Sequence, residues 1–228
     1  MLIDSHVNLH APQFDEDRDE VIARAREAGV GLMVEISDKL STFEATHGLA
    51  MAHPDIWCTV GAHPHEAKDH TDLTAARLVE LAGRDRVVGI GECGLDFHYD
   101  FSPRDVQAAV FRQHIAAARQ TGLPLVVHTR EADAVMGEIL EEEMAIGPFR
   151  FLMHCYTSGP ELAEKAAELG AWFSVSGIAT FKAAGDVRAV IAANVAGVRA
   201  KSCCNLKRPS TARPSRAGSR AMPRAARR

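Results

Sequence analysis

Short runs of apolar and β-branched residues recur along the chain at Leu2 to His6, Gly31 to Ile36, Ile56 to Gly61, Val87 to Gly91, Pro124 to His128, Arg150 to His154 and Ala171 to Ser176. Each has the length of a strand. Between them lie segments whose apolar residues return every three or four positions. The pattern is plainest over Asp17 to Ala28, where Val21, Ile22, Ala25 and Ala28 share a face, and over Asp105 to Gln120, where Val106, Val110, Ile115 and Ala117 fall near one face. Leu73 to Ala82, Ala132 to Glu143, Glu161 to Leu169 and Asp186 to Asn194 read as further helices. Ser102-Pro103 marks the start of the helix after the fourth strand.

Repeated strand-helix units predict an α/β fold with a parallel sheet, either closed as a barrel or open and doubly wound. The residues that end the strands separate these two. An open sheet gathers its ligands at one switch point, whereas here strands one, three, four, five and six all end in His or Glu, which suits a ring converging on one centre. The sequence therefore predicts a TIM-like (β/α) barrel. Only Val198 to Ser202 offers an eighth strand, and it is short and basic, so the barrel is expected to be incomplete at strand and helix eight.

The chain has 228 residues, 46% hydrophobic and 25% charged, enough for one core and too little for two large domains. No apolar run approaches the roughly 20 residues of a membrane helix, and the start lacks the order of a signal peptide. A cytoplasmic protein with no membrane contact is expected, and no obligate protein partner is evident. Five cysteines form no Cys-x-x-Cys pair and are odd in number, which speaks against a disulfide framework or a thiolate zinc site.

The net charge of −4 hides an asymmetry. Residues 196 to 228 hold ten of the 26 Lys and Arg and none of the 30 Asp and Glu. From Lys207 on, the composition is mostly Arg, Pro, Ala, Ser and Gly, too poor in large apolar residues to fold. We read residues 1–195 as the barrel and 196–228 as a basic, disordered tail. Such a run without periodicity is also what a GC-rich coding region yields when read in a shifted frame.

In a strand-helix repeat all strand ends point one way, so His6, Glu92, His128 and His154 meet at one mouth. Any one of them alone reads as an ordinary core or rim residue. Together they supply the imidazole nitrogen and carboxylate oxygen that zinc and other first-row dications take. Glu92, in Gly91-Glu92-Cys93-Gly94-Leu95-Asp96, is the natural bridge between two ions and the candidate catalytic residue. His63 and His65, in Gly61-Ala62-His63-Pro64-His65, and Arg130 are candidates for binding a substrate phosphate. Lys182 reads as a solvated loop residue.

These motifs resemble the TatD family of metal-dependent hydrolases, from Met1 to about Asn194. The resemblance rests on Asp4-Ser5-His6, Gly61 to His65, Gly91 to Asp96, Pro124 to Arg130, His154-Cys155-Tyr156 and Gly177 to Lys182, in that order. It implies a TIM-like barrel, a divalent-metal phosphodiesterase of the DNase type acting on DNA, and up to two ions of Zn, Mn or Mg. It further implies that Glu92, His128 and His154 bind one metal, with Glu92 bridging to another held by His6. Two departures stand out. The family opens with His-x-His, where this chain has His6-Val7-Asn8, and the acid that the family places after strand eight is replaced by Ala200 to Asn205. An intact second-metal site, an impaired first-metal site and reduced or lost activity are the expectation. The alternatives are an inactive remnant with a basic tail, or a barrel hydrolase acting on a non-nucleic-acid ester or amide.

Overall fold

The computed structural model describes residues 1–197. Strands β1 (Leu2–Val7), β2 (Val30–Glu35), β3 (Ile56–Val60), β4 (Val87–Asp96), β5 (Leu125–Arg130), β6 (Phe151–Met153) and β7 (Trp172–Phe173) pair in parallel, each with the next in chain order. A doubly wound sheet reverses its order; this one does not. The sheet is that of a TIM-like barrel, with seven strands among the described residues. Val198 to Ser202, the candidate eighth strand, lies outside the described residues, as does nearly all of the expected tail.

Helices alternate with the strands: α1 (Arg18–Glu27), α2 (Phe43–Ala52), α3 (Ala75–Ala82), α4 (Arg104–Thr121), α5 (Asp133–Ile146), α6 (Pro160–Glu168) and α7 (Gly185–Gly197). The boundary expected at residue 195 falls inside α7. Strand β4 is buried along almost its whole length, as parallel strands covered on both faces are, and α4 packs over it through the buried Phe111, Ile115 and Ala118. Gly122 caps α4 in the left-handed conformation, at φ +70°.

Two elements depart from the sequence reading. Helix α2 has no counterpart there, because its buried face is Phe43, Thr46, His47 and Ala50, with helical spacing but two polar members. Strand β4 runs five residues past its expected end at Gly91. Glycines at 91 and 94 read as a turn, but here they accompany a register irregularity between Ile90 and Cys93 inside a continuing strand.

Candidate metal centre

The β4 irregularity takes the Glu92 N–H out of the sheet ladder, and it donates to the Ser37 carbonyl at 3.0 Å. The buried carboxylate then divides its oxygens. Oε2 stands 3.3 Å from Nε2 of His6 on β1, and Oε1 stands 3.3 Å from Nδ1 of His128 on β5. His154 follows β6, where its N–H donates to the Val127 carbonyl at 2.8 Å, and its ring stacks on His6 at 3.6 Å between centroids. Gly94 lies beside His128 in the β4–β5 register. A Cβ there would stand 2.0 Å from the His128 carbonyl oxygen, so only glycine lets the two strands approach this closely.

Two groups of donors result, and they share Glu92. Donor atoms of His6, Glu92 and His154 all lie within 4.8 Å of one another, and so do those of His63, Glu92 and His128. Ligands about 2 Å from a common ion stand at most about 4 Å apart, so each group needs only a small contraction to fit a dication. His6 Nδ1 is buried without a hydrogen-bond partner, which leaves it open to a ligand. The grouping differs from the one implied by resemblance: His154 lies with His6, and His63 takes the place beside His128.

Burial pushes His154 and His63 down to about 4, so both are neutral at pH 7, the form that binds a metal. Burial alone would raise the Glu92 carboxyl, but the bonds from His128 and His6 outweigh it and hold it well below the usual range. Burial would also lower His128, yet Glu92 and Asp96 prevail and raise it above its ordinary value. The centre therefore holds an ionised carboxylate, with His63 and His154 neutral beside it.

Two further residues orient the ring. Asp96 Oδ2 meets Nε2 of His128 at 3.1 Å and Nε2 of His65 at 2.8 Å. Ser174 Oγ lies 3.3 Å from Nδ1 of His154 and accepts the Cys155 N–H at 2.8 Å. Neither was singled out by sequence reasoning, although Asp96 stands four residues after Glu92 on one strand and so on the same face. Of the rim residues, His65 is half-buried, while Arg130 is exposed with its guanidinium 4.8 Å over the Tyr99 ring. Lys182 and Asn8 are exposed.

Imidazoles and a shared carboxylate at the strand ends of a parallel barrel sheet define a metal-dependent hydrolase of the TIM-barrel type. The family model described as TatD related DNase matches residues 3–198, and the chain belongs to that family. It is 37% identical over 193 residues to a metal-dependent hydrolase of Bacillus subtilis, covering 84% of this chain and 74% of that one. It is 41% identical over 179 residues to a 3'-5' ssDNA/RNA exonuclease TatD of Erwinia tasmaniensis, covering 77% and 68%. The crystal structure of a TatD homologue from Escherichia coli K12 superposes with a TM-score of 0.75 at 26% identity, covering 84% of this chain and 74% of the other. No helix among the described residues is long and apolar enough to cross a membrane.

Proposed function

We propose that the chain is a divalent-metal-dependent nuclease that hydrolyses nucleic-acid phosphodiester bonds. The observation that carries this reading is the Glu92 carboxylate, which turns one oxygen to His6 and the other to His128. His6, Glu92, His128 and His154 would hold up to two ions of Zn, Mn or Mg, with Glu92 common to both. Dications in such a site polarise a phosphoryl oxygen and lower the pKa of a water molecule. His63 faces the same space. It is available to an ion or to the substrate phosphate, while His65 and Arg130 offer hydrogen bonds to the strand at the rim.

The substrate class is supported by the curated relatives, whose names say that those proteins degrade single-stranded DNA and RNA. Reduced turnover is supported by Asn8, since an amide oxygen replaces an imidazole near His6, and by Ala200 to Asn205, a stretch that holds no Asp or Glu. The barrel as residues 1–195 and a cytoplasmic location belong to the same reading.

Purified chain incubated with 3'-labelled single-stranded DNA and Mg, Mn or Zn tests it. Slow, metal-dependent release of nucleotides, abolished in Glu92→Ala, is expected. A chain that binds divalent metal and releases no nucleotide under any of the three contradicts the nuclease reading.

A further inference from the structure

We propose that Tyr99 and Phe101 form a stacking platform for an unpaired base of a single-stranded nucleic acid, at the edge of the metal centre. The inference rests on the nuclease reading and adds the part of the strand that is held beside the phosphate.

Both rings stand in the loop after β4, 46% and 54% exposed, large apolar surfaces that contribute little to the core. They stack on each other with centroids 5.2 Å apart and planes 14° from parallel. The pair is continuous with the site. His65 meets Tyr99 edge-on at 5.4 Å and Phe101 at 4.8 Å, His63 is 4.4 Å from His65, and His128 is 4.5 Å from His63. A nucleotide whose phosphate reached the imidazoles would have its base within reach of the two rings.

The platform is also held in place before any ligand arrives. Asp96 Oδ1 accepts the N–H groups of His98 and Tyr99 at 3.1 and 3.0 Å, and Arg104 binds the Phe97 carbonyl at 3.2 Å and Asp100 at 2.7 Å. Arg130 covers part of the Tyr99 ring at 4.8 Å, so the surface open to a base is chiefly that of Phe101, with a cation held at the same stack. Exposed aromatic rings next to a guanidinium are what a strand with flat bases and anionic links requires. A duplex hides its base faces in its own stack, and two rings are too small a patch for a stable protein interface. Because every base has a π-face, the platform should be tolerant of sequence.

The test compares two phosphorothioate-linked oligonucleotides, chosen to resist cleavage, one carrying bases throughout and one abasic over its 3' half. Binding is followed by fluorescence anisotropy, and metal content is measured for every variant. Wild type is expected to bind the abasic strand about 5- to 150-fold more weakly, the range that stacking of one base spans. The double variant Tyr99→Ala/Phe101→Ala should lose that preference, binding both strands equally, with unchanged metal content, while Tyr99→Phe keeps it. Equal binding of both strands by wild type, a preference that survives in the double variant, or no binding of either strand overturns the proposal. Failure to hydrolyse ordinary DNA with intact base preference counts against the nuclease reading alone.

Discussion

Asp96 grips His128 from the side of the imidazole away from Glu92, with Oδ2 3.1 Å from Nε2 while Nδ1 faces the Glu92 carboxylate at 3.3 Å. A carboxylate at Nε2 keeps the proton there and leaves the Nδ1 lone pair for an ion. Asp96→Asn weakens that acceptor without changing the shape of the side chain. Metal affinity should fall about 10- to 100-fold, as loss of an outer hydrogen bond to a ligating His does. Titration calorimetry on both proteins checks this, and equal affinities would remove the orienting role.

The same pair sets a pH dependence. Burial is outweighed at His128 by Glu92 and Asp96, so its imidazole takes a proton above the usual pH, whereas a metal requires that proton to leave. Divalent metal affinity should therefore rise with pH across the neutral range. Calorimetry in two buffers of different ionisation enthalpy should detect proton release on binding, and identical heats would contradict it.

A second imidazole acts on stability. His10 is raised to about 9, chiefly by its bond to Asp38 and then by Glu35, with contacts of 3.3 and 2.5 Å. Glu35 also accepts the N–H groups of Leu9 and His10 at 2.8 and 2.9 Å, fixing the turn that follows His6. The folded pKa lies above the unfolded value of about 6.5, so this stabilisation is complete below about 6.5 and is lost as pH rises through about 9. The wild-type melting temperature should fall over that window. His10→Gln should start lower and lack this component; an identical slope in the variant would exclude the linkage.

Gly94→Ala tests the strand contact that brings β4 to His128. The added Cβ would stand 2.0 Å from the His128 carbonyl oxygen on a backbone with φ +136°, so the strands must separate. A loss of about 3 kcal/mol or more in urea unfolding is expected, in the range of severe single substitutions, together with weakened metal binding. A fully stable variant would mean that β4 and β5 can part there without cost.

Much of the fold was legible because parallel strands covered on both faces are continuous apolar runs, and His6, His128 and His154 punctuate three of them. Helix α2 was hidden by Thr46 and His47 on its inner face. Strand β4 seemed to stop at Gly91, which concealed that Asp96 shares a face with Glu92. Ser174 carries no signal of its own, since a hydroxyl that holds a histidine looks like any strand serine. The pairing of His6 with His154 and of His63 with His128 depends on side-chain directions across the mouth, and no spacing along the chain encodes those.

Both donor groups share the Glu92 carboxylate, so metal stoichiometry depends on that one side chain. Wild type, Glu92→Ala and His154→Ala, each loaded with Zn or Mn, dialysed and measured by plasma mass spectrometry, should differ in a set order. Glu92→Ala, with circular dichroism unchanged, is expected to lose all bound metal because both donor groups depend on that side chain, and His154→Ala to retain part of it. Wild-type metal content in folded Glu92→Ala would contradict the shared site.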